Sequence, residues 1–156
     1  MTNRDKAFEL SKGDFNFLCQ YVYDIAGIVL NASKKEMVYR RLTRIIRERK
    51  IATFTTYCDL LKAEPEKEKD YLINAITTNL TSFFREQHHF DYMVQHELPK
   101  LIKNSLTNHK RIRIWSSASS TGEEPYSIAI TLLETMKNSL DQWDVKILAT
   151  DIDSNV

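Results

Sequence analysis

The sequence predicts an α + α/β chain: an N-terminal helical bundle followed by an incomplete doubly wound parallel-sheet domain. Three observations predict it. Apolar residues recur at helical spacing through the first half of the chain. From Arg111 onward, strand-like and helical segments alternate in βαβ fashion. The first strand of that alternation runs into a turn of small residues and a helix start, Ile114-Trp115-Ser116-Ser117-Ala118-Ser119-Ser120-Thr121-Gly122-Glu123-Glu124-Pro125-Tyr126.

Residues 14–25 carry apolar side chains at helical spacing, and Gly27 supplies a stop because glycine reaches the left-handed conformation that ends a helix. A second helix is predicted over residues 33–49, with Ser33 and Glu36 as a capping-box pair. Residues 54–62 and 66–76 read as two further short helices, giving a front bundle of four. Residues 91–103 continue as a linking helix. Residues 143–150 read as a second strand that ends in Asp151-Ile152-Asp153. The predicted organisation is residues 1–85 as an all-helical domain, 86–110 as a linking helix and 111–156 as a truncated α/β domain.

Chemistry concentrates in three segments. The turn after the first strand lets a ligand approach the backbone, and Ser119, Ser120 and Thr121 are candidates to cap the helix that follows, with Pro125 suited to its first turn. Only Gly122 lies in this loop, so it is neither a phosphate-cradling G-x-x-x-x-G-K-[ST] nor a G-x-G-x-x-G fingerprint, and Glu123 and Glu124 repel phosphate. A ligand with hydroxyls, amines or a positive centre suits it better. An ordinary capped βα connection is the competing reading.

Asp151 stands at the carboxyl end of the second strand, where a carboxylate accepts hydrogen bonds from ribose hydroxyls, unless it is only a loop aspartate or helix cap. Residues 74–86 mix amides, hydroxyls and an arginine around Phe83 and Phe84. The two aromatics are expected to anchor a binding loop and leave Asn79, Thr81 and Arg85 for polar contacts, the guanidinium being able to grip a carboxylate bidentately. A helix cap beside a surface arginine is the alternative.

Together, Thr77-Thr78-Asn79-Leu80-Thr81-Ser82-Phe83-Phe84-Arg85-Glu86, Trp115-Ser116, Ser120-Thr121-Gly122-Glu123-Glu124-Pro125-Tyr126-Ser127-Ile128-Ala129 and Asp151-Ile152-Asp153 resemble the signatures of the CheR family, in order and over nearly the whole chain. These are S-adenosylmethionine-dependent methyltransferases that esterify glutamates on bacterial chemoreceptors. Ala118-Ser119 stands where the family often has Gly-Cys, and small residues still fit there. The resemblance implies an incomplete Rossmann-like methyltransferase domain with S-adenosylmethionine as cofactor and S-adenosylhomocysteine as product. It implies cofactor contacts at Asn79, Thr81, Arg85, Glu124 and Asp151, with Glu123 the rival to Glu124, and a catalytic place for Arg85 near the methionyl end or the reacting carboxylate. The chemistry needs no triad. The cofactor carries a sulfonium and the acceptor glutamate is already an anion, so alignment and exclusion of water suffice.

Composition agrees with that reading. The 156 residues, 42% hydrophobic, support a modest core, and 22 basic against 21 acidic side chains give no global field for nucleic acid or membrane. Cys19 and Cys58 fall in apolar helical patterns and read as reduced core residues. A charged N-terminus and the lack of a long apolar run predict a cytoplasmic protein with no membrane insertion. His88 and His89 are expected to diverge on a helix surface, and His96 and His109 lack ligand spacing, so no metal is expected. Trp115 and Trp143 are expected in the core.

On the second helix, Val38, Leu42, Ile45 and Ile46 share one face and Arg40, Arg41, Arg44 and Arg47 the opposite one. A solvated face partly neutralised by Glu36 and Glu48 is one reading of the stripe. By the resemblance, Lys34, Arg41, Arg44 and Arg47 are the substrate contacts, meeting the acidic methylation region of a chemoreceptor coiled coil and pointing away from the core. The chain stops at Val156, just past its second strand, and so reads as a fragment, expected to be inactive alone and to self-associate through its uncovered sheet. The competing class is a non-catalytic module that engages an acidic receptor helix through the basic helix. Nucleic-acid binding ranks last, for want of a recognition motif.

Overall fold

The computed structural model describes residues 8–104, 110–137 and 139–156. His109 and the charged residues at the start of the chain, both weighed above, lie outside the described residues. The chain forms two compact units, one reaching Thr78 and taking in Ile152–Asn155, the other formed by Asn79–Asp151 with Val156.

The first unit is a four-helix bundle. Helix α1, Lys12–Ala26, starts at Ser11, whose hydroxyl accepts the Asp14 N–H (3.0 Å). It stops at Gly27, where φ of 66° lets the backbone N–H return to the Tyr23 carbonyl at 2.8 Å. A 3₁₀ turn, Ala32–Lys34, precedes α2, Lys35–Glu48. The predicted Ser33–Glu36 capping box does not form: Asn31 Oδ1 accepts both the N–H and the hydroxyl of Ser33, and Glu36 pairs with Arg40 instead. Helices α3, Phe54–Ala63, and α4, Pro65–Ile76, follow, capped by Thr53 and opened by a proline respectively.

Val38, Leu42, Ile45 and Ile46 of α2 are all buried, as their shared face requires, against Phe15, Leu18 and Val22 of α1 and Phe54, Leu61 and Leu72 of α3 and α4. Cys58 is buried here and Cys19 partly so, both as free thiols; burial pushes the Cys58 thiol up to about 12. Glu68 is fully buried and forks onto the Arg49 guanidinium, whose second nitrogen donates at 2.7 Å and which also stacks on Tyr71. That pairing holds the Glu68 carboxyl below its usual range.

The second unit opens with a continuous helical run made of α5, His88–Tyr92, a π-helical segment, Met93–Glu97, and α6, Leu98–Asn104, so the helix expected over 91–103 begins earlier. Strand β1, Arg111–Ser116, helix α7, Glu123–Met136, and strand β2, Asp144–Ala149, form a βαβ unit. The strands pair in parallel from Arg111↔Asp144 to Ser116↔Ala149. Ile112 and Ile114 pack with Ile128, Leu132 and Met136 of α7, with Phe90 and Leu98, and with half-buried Trp143.

Strand alternation then puts Trp115 on the other face. It is 66% exposed, its indole N–H donating to Thr150 Oγ1 (2.9 Å), which corrects its assignment to the core. Phe84 packs into the cluster, whereas Phe83 is 57% exposed and joins neither core cluster, which corrects its expected anchoring role. The His88 and His89 rings lie 4.2 Å apart edge to face rather than diverging. Among the described residues, no helix is long and apolar enough to cross a membrane.

Candidate functional site

The second unit gathers its polar groups where the strands end. Beyond β1 and β2 the ladder continues, Thr150 N–H donating to the Ser116 carbonyl and Ser119 N–H to the Thr150 carbonyl, each at 3.0 Å, so the turn of residues 117–122 is zipped to the end of β2. Ser120 sits in the left-handed region at φ 47°. Its N–H donates to Asp151 Oδ2 (2.8 Å), and its hydroxyl donates to the Asn79 carbonyl (2.9 Å). Two of the expected site residues are thereby tied to one serine.

Glu124, in the first turn of α7, accepts the Ser116 hydroxyl on Oε1 (2.7 Å), which turns it toward the end of β1. Its rival Glu123 accepts the Thr121 hydroxyl on Oε2 (2.6 Å). The capping expected of Ser119, Ser120 and Thr121 is absent: the N-cap position of α7 falls on Gly122 at φ 104°, which has no side chain to offer. The loop of residues 77–87 is held by Phe84, which lies in the left-handed region and donates its N–H to Ser127 Oγ (3.0 Å), while that hydroxyl donates to the Glu123 carbonyl (2.6 Å). Arg85 bends back on its own loop, Nη1 donating to the Leu80 carbonyl (3.0 Å), and stays exposed. Thr81 is half-buried on that loop.

The loop amides decide what kind of ligand fits. The N–H groups of Ser119, Ser120 and Gly122 are taken by Thr150, Asp151 and Ser119 oxygens, so they form no nest for a phosphate. Carboxylates stand there instead, at Glu124 and Asp151. Those anionic acceptors fit a group bearing hydroxyls, an amine and a sulfonium, as S-adenosylmethionine does.

In the first unit, a groove of about 740 Å³ lies between α2 and α4, lined among others by Arg40, Arg41, Arg44 and Tyr71. Its arginines differ in what they do. Arg41 Nη1 donates to the carbonyls of Ile76 (2.6 Å) and Thr77 (2.5 Å), and Nη2 to Thr78 Oγ1 (2.6 Å), so it caps the end of α4. The expectation that this side chain points away from the fold is corrected. Arg44 pairs loosely with Glu48 (3.5 Å) and is exposed; Arg47 lies 6.0 Å from the Phe8 ring, and Lys34 is exposed at the start of α2. Nearby, Asp153 is buried and accepts the Thr77 hydroxyl (2.7 Å), while Asn74 exchanges hydrogen bonds with Ser154.

Sequence reasoning did not single out Ser116, Ser120 or Ser127 as ties between segments, nor Arg41 as a helix cap. The only signal available was an excess of serine and threonine where helix capping needs one residue.

Comparison with known proteins covers both units. Residues 13–77 match the family described as CheR methyltransferase, all-alpha domain, and residues 79–156 the CheR methyltransferase, SAM binding domain. Chemotaxis protein methyltransferase 2 of Pseudomonas aeruginosa is 44% identical over 152 residues, which is 97% of this chain and 51% of that protein. The chemotaxis protein methyltransferase of Salmonella typhimurium is 44% identical over 148 residues (94% of this chain, 48% of the relative), and that of Borreliella burgdorferi 39% identical over 160 residues (99% and 56%). The chain spans about half the length of these relatives.

Proposed function

The chain belongs to the CheR methyltransferase family, its second unit matching the S-adenosylmethionine-binding domain, and on that premise we propose that it serves methyl transfer to glutamate side chains of chemoreceptors. The observation that carries this reading is the assembly of Asn79 and Asp151 on Ser120, beside Glu124, in a turn where the Ser119, Ser120 and Gly122 amides are already taken. Asn79, Thr81, Arg85, Glu124 and Asp151 would hold the cofactor, which supplies an electrophilic methyl group on a sulfonium. Asp151 is suited to accept from the ribose hydroxyls, since its carboxylate is oriented by a backbone N–H. Glu124, oriented by Ser116, is the acidic loop contact in preference to Glu123. Arg85 is the group suited to grip a carboxylate, whether of the methionyl end or of the acceptor.

No residue here has to move a proton. The acceptor carboxylate is anionic at neutral pH, and the chain's part is to align the reactants and exclude water. The helical first unit, which reaches Thr78, short of the expected residue 85, is proposed as the receptor-recognition domain, with Lys34, Arg44 and Arg47 offering cations to an acidic coiled coil and Arg41 shaping a groove on it.

The test is calorimetric titration with S-adenosylhomocysteine in the protein that carries this chain. Asp151→Ala and Arg85→Ala should each weaken binding by about 1–3 kcal/mol, the worth of a hydrogen bond to a charged group. Unchanged affinity in both refutes the cofactor assignment. The basic groove supports a second reading, a binding module without catalysis. Receptor binding that persists with no methyl incorporation would favour it.

A further inference from the structure

We propose that Ser120 is a positioning residue for the cofactor, a single side chain and amide that set Asn79 and Asp151 relative to one another. The inference rests on the cofactor reading above and goes beyond it, because Ser120 would act through Asn79 and Asp151 rather than on the reactants. Three observations carry it. Ser120 is a non-glycine residue at φ 47°, a conformation in which a side chain costs about 1 kcal/mol or more, so a turn with no further task would be served by glycine, as Gly122 serves two residues later at φ 104°. The strained backbone aims its N–H at Asp151 Oδ2 at 2.8 Å, fixing the rotamer of the carboxylate at the end of β2.

The same residue sends its hydroxyl to the Asn79 carbonyl at 2.9 Å, pinning the loop on which Asn79, Thr81 and Arg85 stand. Those partners are 41 and 31 residues away in sequence, so neither bond is local turn chemistry. Its neighbours anchor the serine: Ser119 is buried and donates its N–H to the Thr150 carbonyl, and Gly122 N–H returns to the Ser119 carbonyl at 2.9 Å. Serine is the side chain that meets all demands at this position. Glycine would keep the amide bond to Asp151 and ease the backbone but lose the tie to Asn79; alanine would lose the tie and keep the strain.

That contrast is the experiment. Ser120→Ala and Ser120→Gly, made in the protein that carries this chain, are compared with Asp151→Ala by titration with S-adenosylhomocysteine, by steady-state methyl transfer and by thermal denaturation without ligand. Both Ser120 variants should bind about 3- to 10-fold more weakly, the loss of one hydrogen bond. The KM for S-adenosylmethionine should rise by the same factor while kcat at saturating cofactor holds within about twofold. The unliganded glycine variant should melt no lower than the alanine variant, since it relieves the backbone. Glycine binding the cofactor as tightly as serine overturns the proposal, as does an affinity loss that appears only in a variant whose unliganded melting point falls with it. If Asp151→Ala loses binding and neither Ser120 variant does, the positioning role fails and the cofactor site stands. If all three bind normally, the cofactor reading fails as well.

Discussion

Two arginines one helical turn apart should answer the same kind of mutation in opposite ways. Arg41→Met keeps the aliphatic stem but removes donors to the Ile76 and Thr77 carbonyls and to the Thr78 hydroxyl, at 2.5–2.6 Å. Each hydrogen bond from a charged donor is worth about 1.5–3 kcal/mol when removed from a buried partner. Arg41 is only half-buried, so water recovers part of that and the three bonds do not add; a net loss of about 2–3 kcal/mol remains. For a unit of this size about 1 kcal/mol moves the midpoint by 4–8 °C, so the helical unit should melt roughly 10–20 °C lower.

Arg44 presents an 80% exposed side chain to Glu48 at 3.5 Å, an arrangement worth well under about 1 kcal/mol. Arg44→Glu combined with Arg47→Glu should therefore leave the melting curve almost in place while lowering methyl incorporation into an acidic receptor by about tenfold or more at low salt, and less at high salt. Circular-dichroism melts and methyl incorporation at two salt concentrations decide it. An Arg41→Met protein that melts with the unmodified one, or a double reversal that unfolds the bundle or methylates normally, refutes the division of labour.

The buried Arg49–Glu68 pair gives a second expectation. The Glu68 carboxyl is held below its usual range, first by its hydrogen bond from Arg49, so it contributes stability that is present above the ordinary carboxylate value and lost as pH falls through the depressed one. Arg49→Met strands a buried carboxylate and should cost about 3–5 kcal/mol at neutral pH. The sign then reverses, because an unpaired buried Glu68 is easier to keep neutral, and urea midpoints should show the cost shrinking on acidification; a cost independent of pH would remove the argument. Ser127→Ala should leave the Phe84 amide without its acceptor and speed exchange of that amide by about tenfold or more, read by hydrogen exchange. An unchanged rate would mean that Ser127 does not hold the loop.

The parts of the fold that obey a short period were legible in the sequence. The spacing of Val38, Leu42, Ile45 and Ile46 found the buried face of α2, and Gly27 its preceding stop, because both depend on neighbours within about one helical turn. Trp115 was legible and misread: Ile112, Ile114 and Ser116 alternate inward on β1, which sends the residue between them outward. The long-range ties were not legible. A helical wheel places Arg41 and Arg44 60° apart, but it does not say that one meets three oxygens at the end of α4 and the other meets solvent.

The same limit explains why the serines of the turn were misassigned. Ser119, Ser120 and Thr121 satisfy the local rule for an N-cap, but the turn places Gly122, which has no side chain, at the cap position of α7, while Ser119 and Ser120 bond to Thr150, Asp151 and Asn79 far away in sequence. A helix start left without a side-chain cap is a local violation, and such violations gather where a site needs the groups for something else. Here the consequence is chemical. With the Ser119, Ser120 and Gly122 amides bonded within the fold and Glu124 and Asp151 beside them, the turn carries local negative charge, which on the proposed reading would favour a sulfonium over a nucleotide phosphate at this position.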